Sequence, residues 1–326
     1  MDARDALGRV DVCIPVHDPD PAYLKALLDS LCRQTHRDFD VLISDDSERP
    51  ALDPIVAAYK TQLSLRVHRE PPGQGMVHNW NCAVGLGSAP YVVLTGQDDE
   101  LADEALEVHL TELAADPALV ATGSERSFVD AAGRPTDRGV RVNDRTRIYR
   151  TSERYRLDRH TLTLLSLRNG NVFGEPSTVM FRRSAYEAIG GFSSRYEHAV
   201  DVDFALRLSA EGDLSYLARP LARFRRHETS QTHRNIRSGT TSIERVRLIE
   251  DHADSGGLSA DERARCVAAA AVHCVHDAMR AMLVRSPQAL KVNLRLLRRL
   301  WAMGIRPRYF FAMVLEALTG RNQDRR

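Results

Sequence analysis

"VDVCIPVHDPDPAYLKALLDSLCRQTHRDFDVLISDDS", residues 10–47, reads as strand, turn, helix, strand. The run "VDVCIPV" is apolar and β-rich, and the turn "HDPDP" ends it. "AYLKALLDSLCRQ" (22–34) then places Leu24, Leu27, Leu28 and Leu31 at helical spacing. "FDVLIS" (39–44) is the next strand and runs into Asp45 and Asp46. Working outward, a helix over "LDPIVAAYK", a strand "LSLRVH", a helix "MVHNWNCAVGLG" and a strand "YVVLT" (91–95) continue the alternation. Continuous apolar strands separated by amphipathic helices predict an α/β fold, with a mostly parallel sheet flanked by helices.

In such a sheet ligands bind beyond the carboxyl ends of the strands. Asp45 and Asp46 fall there, as do Asp98 and Asp99 in "TGQDDELADEALEVH" (95–109). Taken alone, Asp98 and Asp99 read as N-terminal caps of a following helix. With a second acidic pair on another strand, they read as groups that hold a cation. No GxGxxG follows the first strand and no GxxxxGK[ST] occurs. "GLGSAP" (85–90) precedes a strand instead of opening a helix. Phosphates bound here would therefore be neutralised by a carboxylate-held divalent cation, Mn2+ or Mg2+.

The bulk properties agree with a soluble globular chain of 326 residues, 43% apolar and 27% charged. A net charge of +1 gives no global field toward nucleic acid or anionic membrane. The five cysteines (Cys13, Cys32, Cys82, Cys266, Cys274) include no CxxC pair and read as reduced, buried thiols. Cys266, His273, Cys274 and His276 fit no zinc spacing and read as part of a core helix. No targeting pattern or spanning-length apolar run is evident, so a cytoplasmic location is expected, with peripheral contact at the inner face of the membrane as an extension.

Residues 131–160 turn polar and arginine-rich and read as an irregular excursion over the active face. Order returns with a strand over "STVMFRR" (177–183), a short helix, a helix over "HAVDVDFALRLSAEG" (198–212), and strand-like pieces in "LSYLARPLARFRRH". A polar loop over 228–242 follows, and then the pattern is wholly helical. The expected division is a catalytic domain over 1–232 and a loop with a helical C-terminal region over 233–326. "VNLRLLRRLWAMG" (292–304) reads first as a helix packed on the main domain, and second as an interfacial helix with Arg295, Arg298 and Arg299 on its polar side.

From about residue 9 to 232 the chain resembles the inverting family-2 glycosyltransferases of the GT-A fold. Segments in the family's order carry the likeness: "VDVCIPVHDPD", "LLDSLCRQTHRDFDVLISDDS", "GMVHNWNCAVGLGSAPYVVLTGQDDE", "SFVDAAGR" (127–134), "STVMFRRSAYEAIGGF" and "AVDVDFALRLSAEGDLSYLARPLARFRRH". The resemblance implies that Pro15 and Asp18 lie against the nucleoside and that Asp46 accepts a hydrogen bond from the base. Asn81 corresponds to the asparagine before the family's fourth strand, with Trp80 in place of an arginine. Asp98 corresponds to the second acid of the metal-binding DxD and is the expected metal ligand, with Asp99 assisting or contacting a sugar. Gly96 stands where the first acid would be, and Gln97 is the expected replacement for its ribose contact. Asp201 corresponds to the family's general base, with Val200 where a glutamate would precede it and Asp203 as second choice. His227 matches a late histidine that reaches the metal or the diphosphate. Gly174, Glu175 and Ser177 would line the acceptor pocket.

The resemblance implies transfer of a sugar from a UDP-, dTDP- or GDP-sugar to a hydroxyl of a glycan, a lipid-linked or a small-molecule acceptor, with no nucleic-acid partner. Two alternatives stay open: a nucleotidyltransferase on the same fold, and a non-catalytic sugar-nucleotide-binding partner. "PVHDPDP" lacks the glycine- and base-rich loop that the first requires. Retention of Asp98, Asp201 and His227 speaks against the second.

Overall fold

The first two strands, β1 (Val10–Val16) and β2 (Phe39–Asp45), are buried along nearly their whole length. That is why both read as unbroken apolar runs instead of alternating ones. A computed structural model describes residues 8–48, 52–137, 149, 151–226, 239–283 and 286–319. Those within 1–158, 173–195 and 207–227 form one compact unit, and those within 159–172, 196–206 and 228–326 form a second.

The first unit holds a nine-stranded sheet among the described residues. Its other strands are β3 (Leu65–Arg69), β4 (Tyr91–Leu94), β5 (Glu100–Leu101), β6 (Leu119–Val129), β7 (Arg154–Leu157), β8 (Val179–Arg182) and β9 (Asp213–Arg225). The order is β3-β2-β1-β4-β8-β6-β9-β5, with β7 paired to β9. From β3 to β4 every pairing is parallel. Beyond β4 the sheet is mixed: β8 runs antiparallel to both β4 and β6, while β6 and β9 are parallel. The all-parallel half is thus the one built from the alternating segments.

Helices α1 (Pro21–Cys32), α2 (Leu52–Ala57), α3 (Met76–Gly85) and α4 (Ala105–Ala115) connect these strands. Asp20 caps α1 by accepting from the Ala22 N–H at 2.8 Å, and Pro21 at the first helical position needs no such partner. Leu24, Leu27, Leu28 and Leu31 form its buried face. Register places the site: Val16 lies opposite Asp45, and the Thr95 N–H donates to the Cys13 carbonyl at 2.9 Å. The carboxyl ends of β1, β2 and β4 are therefore adjacent.

Two expectations are corrected here. The arginine-rich excursion contains β7, and Tyr149 within it stacks on Tyr216 of β9 at 3.9 Å; the rest of that excursion from 138 to 150 is outside the described residues. The pieces after residue 212 form a single 13-residue strand, β9.

The second unit is helical: α5 (Arg159–Asn169), the first turns of α7 (Val200–Leu208), α8 (Thr240–His252), α9 (Ala260–Leu283), α10 (Pro287–Ala302) and α11 (Pro307–Thr319). A further helix, α6 (Arg183–Ala188), belongs to the first unit. By length and composition α9 is long and apolar enough to cross a membrane, contrary to the expectation that no run came close. Its Cys266–Ala271 stretch is nevertheless buried, and α5, α8, α10 and α11 pack against it. On α10, Leu296 and Leu300 are buried, while Leu294, Trp301 and all three arginines face solvent.

Candidate active site

At the carboxyl end of β2, Asp46 is buried. Its Oδ1 accepts from Asn79 Nδ2 on α3 at 3.0 Å, and the same amide donates to the Val16 carbonyl at 3.0 Å. His17 Nδ1 lies 3.1 Å from Asp46 Oδ1 and 3.2 Å from the Asp46 carbonyl. The β1 turn is further shaped by Asp18, a non-glycine residue with φ of 41°, whose N–H donates to Ser47 Oγ at 2.8 Å. A left-handed conformation suits aspartate better than most side chains, because its short polar group bonds locally. Pro15 is half-buried in β1 opposite Ser44.

Across the turn, Gln97 closes two bonds with the His17 backbone. The His17 N–H donates to Oε1 at 2.8 Å, and Nε2 donates to the His17 carbonyl at 3.1 Å. His17 thereby joins the Asp46 loop to the Gln97–Asp98 loop.

The two adjacent aspartates divide their work. Asp99 is buried: Oδ2 accepts from the Ser177 hydroxyl at 2.5 Å and Oδ1 from the Arg225 N–H at 3.2 Å. Burial pushes the Asp99 carboxyl up to about 6; the Ser177 and Arg225 hydrogen bonds oppose the shift, and the Asp98 charge adds to it. Asp98 is half-buried, and its carbonyl accepts from Arg225 Nε at 3.0 Å. The Arg225 guanidinium also donates to the Asp130 carbonyl and to Glu100 Oε1, at 3.1 and 2.7 Å, and lies 4.7 Å from the centre of the Tyr23 ring. Arg225 therefore anchors the acidic turn from inside.

Ser177 accepts from the Gly96 N–H at 3.0 Å, so one hydroxyl latches both Gly96 and Asp99. A Cβ at residue 96 would lie 3.1 Å from Asp99 Oδ2.

Several expectations change. Asp98 and Asp99 do not cap a helix: they lead into β5, and α4 begins only at Ala105. Asp99 has both carboxylate oxygens hydrogen-bonded within the chain and so supports the turn. Asn81 turns to other partners, its Oδ1 accepting from the Tyr186 hydroxyl and the Phe192 N–H and its Nδ2 donating to the Phe192 carbonyl. The asparagine that touches Asp46 is Asn79. Ser177 is buried in the Asp99 latch, and Glu175 pairs with Arg126, whose guanidinium lies over Phe128 and Phe224. His227 lies outside the described residues.

In the second unit, Asp201 and Asp203 open α7. The Glu244 carboxylate of α8 accepts the N–H groups of Glu197, His198 and Ala199 at 2.7, 2.8 and 2.8 Å, tying down the chain just before that helix. Asp201 is half-buried; its Oδ2 accepts from Asn171 at 2.6 Å and its Oδ1 from the Val202 N–H at 2.8 Å. Burial raises its pKa, against the His198 charge and these hydrogen bonds. Asp203 is buried against His252 Nε2 at 2.9 Å and holds α7 to α8.

His17, Asn79 and Glu244 thus emerge from structure, and Arg225, one of the arginines around His227 in the sequence, reaches the acidic turn. Only Asn79 had a usable signal: it stands four residues before Ala83 on the buried face of α3, where an unexplained amide calls for a partner.

The sheet order, with acidic loops at the carboxyl ends of its parallel half, defines a GT-A glycosyltransferase fold. The pattern of Glycosyl transferase family 2 matches residues 11–190, more than half of the chain, and the chain belongs to that family. It is 27% identical over 209 residues to the chondroitin synthase of Pasteurella multocida, a match covering 64% of this chain and 20% of that protein. The chain thus matches about a fifth of that relative's length. Among solved structures, it is similar to Staphylococcus aureus TarS 1–349 in complex with UDP-GlcNAc, with a TM-score of 0.64, 15% identity, and coverage of 97% and 93% of the two chains. It is similar also to the mannosyltransferase PcManGT of Pyrobaculum calidifontis in complex with GDP-Man and Mn2+, with a TM-score of 0.53, 18% identity, and coverage of 97% and 88%.

Proposed function

We propose that this glycosyltransferase takes its sugar from a nucleotide-diphosphate donor and passes it to an acceptor hydroxyl with inversion, Asp201 serving as base. The observation that carries the donor reading is the join through His17, which sets the buried Asp46 carboxylate beside the Asp98 turn at the carboxyl end of one sheet. Asp46 Oδ1 is held by Asn79 and His17, so its carboxylate is oriented in advance to accept an N–H of the base. Recognition through a polar edge discriminates more sharply than a pocket of the right bulk.

Asp98 is the residue that would hold a divalent cation. One protein carboxylate fits Mn2+ or Mg2+, which complete their shells with waters and substrate phosphates. Bound there, such a cation supplies positive charge against the leaving diphosphate. The chain's own part is to fix Asp98, through Arg225 on its carbonyl and the Gln97 pairing beside it.

Asp201 suits proton removal from an attacking hydroxyl, because a raised pKa makes a carboxylate a stronger base. Asn171 and the Val202 N–H set its orientation. A single carboxylate base with in-line attack gives inversion, as in inverting hydrolases.

A panel of UDP-, dTDP- and GDP-sugars with and without Mn2+, followed by thermal shift and by product formation, tests this reading. One donor class should raise the melting temperature, and more so with the cation. Asp201→Asn should bind that donor normally and turn over at least 100-fold more slowly. Wild-type turnover in Asp201→Asn would remove it as base, and no stabilisation by any nucleotide sugar would remove the donor reading. Peripheral membrane contact through α10 is part of the same proposal, supported by exposed Leu294 and Trp301 beside three exposed arginines. Absence of the chain from sedimented anionic vesicles would overturn it.

A further inference from the structure

On the first unit, three side chains of different chemistry converge. Glu70 follows β3, and His78 and Cys82 stand four apart on α3, so both present to one side of the helix. Their ligand atoms all lie within 4.8 Å of one another. Cys82 Sγ is 3.3 Å from His78 Nε2, and His78 Nε2 is 3.6 Å from Glu70 Oε2. Tetrahedral zinc, with bonds of about 2.0 Å to nitrogen and about 2.3 Å to sulfur, sets two such ligands roughly 3.5 Å apart. The other Glu70 oxygen, Oε1, lies 2.8 Å from His68 Nε2. That contact orients the carboxylate, as outer partners of metal ligands do.

We propose that Glu70, His78 and Cys82 form a zinc site, with His68 orienting Glu70 and solvent in the fourth position. The donor set selects the ion: one sulfur, one imidazole nitrogen and one carboxylate oxygen suit zinc, whereas manganese and magnesium prefer oxygen alone. His78 is exposed and Glu70 and Cys82 are half-buried, so an ion reaches the site without opening the core. Binding releases the Cys82 thiol proton to solvent and weakens as pH falls. The ion would clamp the end of β3 to α3. The same stretch also holds Asp46: the N–H of Gly73, in the loop between β3 and α3, donates to its carbonyl at 3.2 Å, and Asn79 of α3 holds its carboxylate.

The full chain, reduced and stripped with chelator, is titrated with Co2+ as a spectroscopic probe and with Zn2+ in competition. Wild type should show a thiolate-to-cobalt charge-transfer band in the near ultraviolet, discharged by one equivalent of zinc. Cys82→Ser should lose the band, and His68→Ala should weaken zinc about 10- to 100-fold. Cys32→Ser and Asp98→Asn should keep both band and stoichiometry. Absence of the band in wild type, its persistence in Cys82→Ser, or loss of zinc in Asp98→Asn would overturn the site.

Discussion

The Gln97 side chain and the His17 backbone form a closed pair of hydrogen bonds, 2.8 and 3.1 Å long, between the loops after β4 and β1. Both residues are at the surface, so the pair adds little to folding and acts on loop order. Gln97→Ala should change unfolding free energy by less than about 1 kcal/mol. It should weaken nucleotide binding about five- to tenfold, because the loops must then be ordered on binding. Calorimetry with the nucleotide that stabilises wild type checks this; unchanged affinity would show that the pair does not organise the site.

Ser177→Ala removes one donor from the buried Asp99 carboxylate and the acceptor of the Gly96 N–H. Leaving buried polar groups without partners should cost about 1–3 kcal/mol in urea unfolding. A variant as stable as wild type would mean that the latch is dispensable.

His109 on α4 is buried, with Nδ1 2.8 Å from Thr122 Oγ1. Burial lowers its pKa from 6.5 to about 3. The neutral ring is the folded form, so its contribution is complete above the unfolded value. It is lost progressively as pH falls from about 6.5 toward about 3, by up to about 1.4 kcal/mol per unit. His109→Gln should flatten the acid side of the stability profile over that window. Parallel acid profiles for the two proteins would exclude His109 as a source of acid lability.

Arg183 and Asp11 form a buried ion pair at 2.7 Å, and Arg183 also donates to the Ala89 and Val84 carbonyls. Arg183→Met leaves the Asp11 charge buried without its cation and should cost about 3–5 kcal/mol. A loss below about 1 kcal/mol in urea unfolding would show that solvent reaches Asp11 in the variant.

The parallel half of the sheet was legible because β1, β2 and β4 are continuous apolar runs bounded by turn residues, a strong local signal. β7 was not, since "RYRL" carries two exposed arginines and one buried residue, Leu157, and its pairing with β9 comes from distant sequence. The acidic turns were legible as strand-end turns on one edge of the sheet, yet the different partners of the two adjacent aspartates were not. What separates Asp98 from Asp99 is Ser177 and Arg225, 78 and 126 residues beyond Asp99 in the chain. Likewise, Asn79 and Asn81 differ only in which face of α3 they occupy, and nothing in their spacing says which one meets Asp46. The Glu70, His78 and Cys82 cluster escaped any spacing rule because its carboxylate comes from a neighbouring strand end.

Glu244 grips the three N–H groups before α7, His252 bonds Asp203, and the Asp251 carboxylate accepts from the Tyr196 hydroxyl at 2.6 Å. All three anchors lie on α8, beyond residue 232, while the segment they hold carries Asp201. Helix α8 is therefore scaffolding for the proposed base. A chain shortened to end at 232 would strip the segment carrying Asp201 of these supports while leaving the strands of the sheet whole.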